Sequence, residues 1–285
     1  MEKEQLSNTV KQFSPEYQST LDEIDKISNL SQEEQGKYIN ERIKKLSDTA
    51  EKGEMSTRGK KVCNGFVGPD MLIRRNILVD PIVLDDPSLY QTMFETLKMF
   101  RGVEHMKDKT LRQLHIGLIQ WTISKYFGNE IPYKETETEN RNFYMERSGA
   151  DSPEISISEL KGKGFAVCAE KSSVAENLLV FSGLEAKLVV STECRIPEEA
   201  EESGHYYNII LGPTQKFIYD PSNPKLVTNS NGKLINYNPA MYRISDEDYE
   251  KLMNGGAVTV VHVDTEVSDG IEKNIESRRV YGGVK

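Results

Sequence analysis

The chain has 285 residues, 37% hydrophobic and 28% charged, enough to bury a sizeable core as one large domain or two smaller ones. Its formal net charge of −9 argues against nonspecific binding to nucleic acid or to an anionic membrane, because both call for a basic face. Three cysteines, Cys63, Cys168 and Cys194, form neither an even disulfide framework nor a paired metal spacing, which fits a reducing compartment.

The polar start Met1-Glu2-Lys3-Glu4-Gln5 is followed by no apolar run of signal-peptide length. Nothing later approaches the roughly 18 apolar residues of a membrane span. Cytoplasmic residence is the expectation, with export by a dedicated system as the alternative. Ser14-Pro15-Glu16 opens a helix that carries Tyr17, Leu21, Ile24 and Ile27 on one face. Ser31 with Glu34 makes a capping-box pattern ahead of a second helix bearing Ile39, Ile43, Leu46 and Ala50. Both apolar stripes are narrow, so the pair is expected to pack on the downstream domain; a protein partner, a second copy or a detachable arm is the alternative. Residues 52–81 are rich in Gly and Pro and read as an irregular connector with one short strand from Met71 to Val79. Residues 1–81 thus form a helical N-terminal region and connector.

Asp86-Pro87-Ser88 begins a helix with Leu89, Tyr90, Met93, Phe94, Leu97 and Phe100. A longer one runs from about Lys109 to Phe127, carries Leu111, Leu114, Leu118, Ile119 and Ile123, and closes at Gly128. Next comes Gly164-Phe165-Ala166-Val167-Cys168-Ala169-Glu170, directly before Val174, Leu178 and Phe181 at helical spacing and a stop at Gly183. Cys168 therefore opens a helix, where unpaired N–H groups and the positive end of the helix dipole favour a thiolate. Leu184 to Ser191 reads as a strand.

His205-Tyr206-Tyr207-Asn208-Ile209-Ile210-Leu211 and Lys216-Phe217-Ile218-Tyr219-Asp220, separated by Gly212-Pro213-Thr214-Gln215, read as a hairpin ended by Pro221. In an antiparallel pair, His205 and Asp220 fall at the same end, where a carboxylate can hold an imidazole as the base for a nucleophile. Met241 to Leu252 reads as a turn and a short helix opened by Ser245 with Asp248 three residues on, Ala257 to Asp264 as a strand, and 266–285 as a loosely held polar tail. Helices first and a strand meander afterwards make an α+β domain, taken here as residues 82–265.

The stretch from Gly164 to Ser173, the helix after it, Gly183-Leu184-Glu185-Ala186-Lys187-Leu188-Val189-Val190, then His205-Tyr206-Tyr207-Asn208 and Tyr219-Asp220-Pro221-Ser222-Asn223-Pro224 resembles the core of the transglutaminase-like superfamily. The match covers roughly residues 160–224. The resemblance implies a papain-like α+β core, with a nucleophile helix packed on an antiparallel sheet. It also implies catalytic roles: Cys168 as nucleophile, His205 as base and Asp220 as its orienting partner. One departure stands out. Papain-like relatives often place an oxyanion-stabilising side chain shortly before the cysteine, and Gly162, Lys163 and Gly164 supply no amide or indole. The second oxyanion donor is unassigned.

This constellation implies a thiol enzyme acting on peptide or glutamine amide bonds through an acyl-thioester. Water as acceptor makes a cysteine protease or deamidase, the first expectation; an amine makes a transglutaminase or other acyltransferase. A noncatalytic binding module on the same fold is the different-class alternative. The substrate class is a protein or peptide, and neither cofactor nor metal is called for.

Several residues read as structural. His115 belongs to an apolar helix face, His262 to a strand, and His105 lacks partners at ligand spacing. Cys63 and Cys194 lie in irregular sequence with no nearby histidine, and Trp121 reads as helix packing, with a cleft wall as the lesser alternative. Glu170 reads as a favourable acid in a helix first turn, with a role in shaping the nucleophile's surroundings as the alternative. The run Glu198-Glu199-Ala200-Glu201-Glu202 reads as a solvated loop rather than a rim selecting basic substrates.

Overall fold

A computed structural model describes residues 25–48, 108–128, 155–195 and 203–284 apart from 213, with scattered positions between 22 and 143. Outside the described residues lie most of the expected first helix, the connector at 52–81 with its strand at 71–79, Cys63, His105 and the acidic run 198–202. Helix α1 (Gln32–Asp48) starts where its capping box predicts: the Ser31 backbone N–H donates to Glu34 Oε2 at 2.8 Å and the Ser31 hydroxyl donates to the same oxygen. Its Ile39 is 1% exposed and joins the main core, so this helix packs on the domain that follows.

Strands β1 (Ile82–Val83) and β2 (Ile155–Ser156) form a small parallel pair. Between them runs helix α2 (Asp108–Phe127); a short 3₁₀ turn, Ile157–Leu160, follows β2 and leads to helix α3 (Cys168–Phe181). The rest is mostly strand: β3 (Glu185–Arg195), β4 (Ser203–Leu211), β5 (Lys216–Asn229), β6 (Leu234–Ile244), helix α4 (Asp246–Met253), β7 (Ala257–Ser268) and β8 (Ile271–Gly282).

The fold is mixed α+β. Its six-stranded sheet has the order β4-β3-β8-β7-β5-β6, antiparallel except where β5 meets β7. Strand β5 also pairs with β4, which closes the sheet on itself and leaves β6 along the other edge of β5. Strand β4 is buried on both faces, which explains its almost unbroken apolar run. Tyr206 and Ile210 point into a core shared with α2 and α3, containing Ile119, Ile123, Leu178 and Tyr219. Tyr207 and Ile209 point the other way, into a second core with Ile218, Tyr242, Val260 and Tyr281, where Leu252 of α4 packs.

Four expectations need correction. Residues 266–285 are no loose tail: β7 and β8 pair over their whole length, from Ala257↔Gly282 to Ser268↔Ile271. The outer half of β8, residues 271–276, is exposed on both faces and carries no alternating apolar pattern, which hid the strand from a periodicity reading. Pro221 does not end β5; the register slips between Asp220 and Lys225 and pairing with β6 resumes at Lys225↔Asn238. Met241 to Ile244 is strand rather than turn, although the Ser245–Asp248 capping box that starts α4 is present as expected. Cys194 lies within β3, opposite Ser203 of β4 and Tyr281 of β8, not in irregular chain.

Candidate active site

The approach to Cys168 is built from glycines. Helix α2 ends at Gly128, and its last carbonyls receive the incoming loop: Gly162 N–H donates to Tyr126 O at 2.9 Å and Gly164 N–H to Phe127 O at 2.8 Å. Gly128, Gly162 and Gly164 all have φ between 70° and 78°, a region that side chains with a Cβ rarely adopt. A Cβ on Gly128 would also stand 3.1 Å from the Gly162 backbone. The glycines before Cys168 therefore dock its loop on α2, with Phe165 and Ala166 buried behind them.

Cys168 is the first residue of α3 and is half-buried. Glu170 Oε2 accepts the Val167 N–H at 2.9 Å and Oε1 accepts Asn140 Nδ2 at 3.0 Å. This buried carboxylate is the first-turn acid expected and also fixes the backbone just before Cys168. Helix α3 is pinned to β4 beside the histidine: Ser172 Oγ donates to Tyr206 O at 2.8 Å, and Asn208 Nδ2 donates to Ser172 O at 3.1 Å.

His205 and Asp220 come together as the hairpin register demands. The ladder runs Leu211↔Lys216 to Asn208↔Tyr219, and the next step sets Asp220 opposite Tyr207, two residues from His205 on the same face. His205 Nε2 lies 2.8 Å from Asp220 Oδ2, and both side chains are buried. Asp220 takes further donors: the Ser222 N–H at 3.0 Å and its hydroxyl at 2.7 Å on Oδ1, with Asn223 Nδ2 at 2.8 Å and the Tyr281 hydroxyl at 2.9 Å on Oδ2. Burial alone would raise the Asp220 pKa, but the His205 charge and these hydrogen bonds outweigh it and hold the carboxyl well below the usual carboxylate range. Aromatic rings flank His205, Tyr207 stacked at 6.4 Å and Tyr281 tilted at 6.1 Å between centroids. Past the aspartate, Gln120 of α2 secures the irregular stretch, donating from Nε2 to Pro221 O at 3.0 Å and accepting the Tyr219 hydroxyl at 2.9 Å.

With Nε2 donating its hydrogen to a carboxylate, the neutral His205 ring carries its lone pair on Nδ1, the tautomer a general base uses. Cys168 itself makes no hydrogen bond to His205 or Asp220 among the described residues. The side chains alternate along β4: Tyr206 and Asn208 face α3, while His205 shares its face with Tyr207. Lys171, on the same helix as Cys168, is buried, and burial lowers its pKa to about 8 against the opposing charges of Glu170, Asp220 and Cys168.

The other two described histidines, His115 and His262, are structural in their surroundings. His115 is buried with Nε2 2.8 Å from Ser182 Oγ, and burial lowers its pKa to about 3. His262 joins the Tyr242 hydroxyl through Nδ1 and Asp264 Oδ1 through Nε2 at 3.0 Å; its pKa is lowered, first by burial and then by Arg279. Trp121 is 40% exposed with Lys125 Nζ 4.6 Å from its ring centroid, so it does not pack in the core. Among the described residues, no group of three or more His, Cys, Asp or Glu converges as metal ligands would, and no helix is long and apolar enough to cross a membrane.

Sequence reasoning missed Lys171, Asn223, Gln120 and Tyr281. Asn223 and Lys171 sit within three residues of Asp220 and Cys168, and a search for polar groups next to a candidate triad would have found them. Gln120 and Tyr281 are brought in by distant elements and leave no local signal. No protein-family model, curated protein or solved structure matches this chain.

Proposed function

We propose that the chain is a transglutaminase-like thiol enzyme in which Cys168, His205 and Asp220 form the catalytic triad and a protein or peptide amide is the substrate. The observation that carries this reading is the buried His205–Asp220 hydrogen bond, made by a carboxylate with five donors and set beside a helix that begins with a half-buried cysteine. A carboxylate so fully satisfied stays ionised and fixes the imidazole tautomer, the role of the third group in a triad.

In the reaction, His205 Nδ1 takes the thiol proton and the Cys168 sulfur attacks the amide carbonyl. The Cys168 backbone N–H at the helix start is one donor to the oxyanion that forms. Collapse breaks the C–N bond, the departing amine takes the proton from His205, and an acyl-thioester remains. Water, deprotonated by the same imidazole, then releases the acid and returns the thiol. Hydrolysis is favoured over amine transfer because Cys168 is partly open to solvent, and transfer to an amine needs water excluded. The chain is thus read as a cysteine protease or deamidase, with a transglutaminase as the variant that differs only in acceptor.

A noncatalytic binding module is favoured by one observation: His205 lies on the sheet face shared with Tyr207, and Cys168 makes no hydrogen bond to it among the described residues. Intact-mass analysis of candidate protein substrates, with and without a primary amine, separates these readings. Cleavage yields fragments, deamidation adds about one mass unit, and amine transfer adds the amine less ammonia. An unchanged substrate together with an unreactive Cys168 is the outcome expected of a binding module.

A further inference from the structure

Strand β8 pairs with β7 over its whole length but with β3 only at Val280 and Tyr281. Among the described residues, the edge formed by residues 271–278 therefore has no partner strand. Residues 271–276 and Arg278 are exposed. The N–H and C=O groups along such an edge are a template for another strand, and proteins ordinarily blunt it with a proline, a bulge or a very short strand. Strand β8 has none of the three: it is 12 residues long, contains no proline and keeps an unbroken register with β7. It also exposes two large apolar side chains, Ile271 at 71% and Ile275 at 45%.

We propose that this edge pairs antiparallel with the same edge of a second copy, about a twofold axis that passes through Ile275, so that the protein is a dimer. A twofold axis normal to the sheet keeps every side chain on its own face, and with a side-chain period of two it has to pass through a residue. An axis at Ile275 sets Glu272 opposite Arg278 of the second copy, a pair that symmetry repeats, and brings the two Ile275 side chains together on the axis. Within the chain neither charge is answered across the ladder: Glu272 stands opposite Val267 and Arg278 opposite Val261. The other registers are worse, because like charges directly opposite are destabilising. An axis at Lys273 sets that lysine against itself, one at Asn274 sets Glu272 against Glu276, and one at Glu276 sets that acid against itself. An axis at Ser277 uses only the end of the open stretch, beside the residues that β3 already holds. The edge is thus complementary to itself in one register. The inference involves none of Cys168, His205 and Asp220, and it holds whether or not they form a triad.

The test is sedimentation velocity of the full chain over a wide range of concentrations at low ionic strength, with circular dichroism to monitor folding. The side chains to be changed are exposed, so the fold is expected to survive. Glu272→Arg and Arg278→Glu each set like charges opposite one another at both ends of the interface, and each is expected to weaken dimerisation roughly tenfold. Mixed in equal amounts, these two variants are complementary again and should dimerise like the wild type, as should the double variant. Ile275→Cys should form a disulfide with its own copy under mild oxidation, because Cα atoms of directly opposed residues lie about 4.5–5.5 Å apart. Ile271→Cys, far from the axis, should not, and peptide mapping identifies the bond. A wild-type chain that sediments as a monomer at every concentration overturns the proposal. So does a dimer that the charge reversals, alone and mixed, leave unchanged.

Discussion

The Tyr281 hydroxyl donates a 2.9 Å hydrogen bond to Asp220 Oδ2 across 61 residues of chain. The last strand therefore helps to build the candidate site: β8 closes the sheet between β3 and β7 and brings its tyrosine under the histidine–aspartate pair. Tyr281→Phe removes one of five donors to a buried carboxylate. It is expected to cost about 1.5–3 kcal/mol, the usual worth of a hydrogen bond to a charged group, and urea unfolding measures it. An unchanged midpoint would mean that the remaining donors make this bond redundant.

Asp220→Asn keeps the shape of the site but removes the charge that fixes the His205 tautomer. Turnover is expected to fall by about 10³- to 10⁴-fold at near-neutral pH with the protein still folded. Turnover close to that of wild type would reduce Asp220 to a turn residue ahead of Pro221.

Two buried groups shape the acid limb of stability in different windows. His115 is neutral in the folded state, with a pKa of about 3, and titrates near 6.5 when unfolded. The unfolded chain therefore binds more protons between these values, and stability is lost as pH falls from about 6.5 toward 3, by up to about 1.4 kcal/mol per unit. Asp220, whose folded pKa is depressed, contributes stability that is present above about pH 4 and lost as pH falls further. His115→Gln should flatten the slope between pH 6 and 4, read from denaturant midpoints at each pH, and leave the steeper loss below 4. A slope unchanged by that substitution would place its origin elsewhere.

Ile39 puts α1 into the core that also holds Leu178 of α3. Ile39→Ala should cost about 2–5 kcal/mol, and deletion of residues 1–50 should lower the melting temperature of what remains. A truncated chain that melts like the full one would show that α1 is dispensable.

Where local chemistry decided the outcome, the sequence was readable. The Ser31–Glu34 and Ser245–Asp248 capping boxes, the helix that opens at Cys168 and the hairpin that pairs His205 with Asp220 all follow from residues within a few positions of one another. Features made by distant chain were not. Sheet closure depends on β8, whose exposed half has no buried face to give it a period of two. The kink after Asp220 is stabilised by Gln120, from a helix about a hundred residues earlier, so Pro221 alone suggested an end that the tertiary structure bypasses. Lys171 was passed over because a lysine on a helix is ordinarily a solvated residue, and only packing revealed its burial.

The central claim is that Cys168 is a nucleophile activated by His205, and its most direct test is the rate of alkylation at each cysteine of the folded protein as a function of pH. Cys168 is expected to react faster than Cys63 and Cys194, to keep that lead below pH 7, and to lose most of it in His205→Ala without unfolding. Repeating the comparison with a smaller reagent separates reactivity from access. Alkylation of Cys168 no faster than the other two, with the pH dependence of an ordinary thiol and no response to His205→Ala, would contradict the account and leave a binding module in its place.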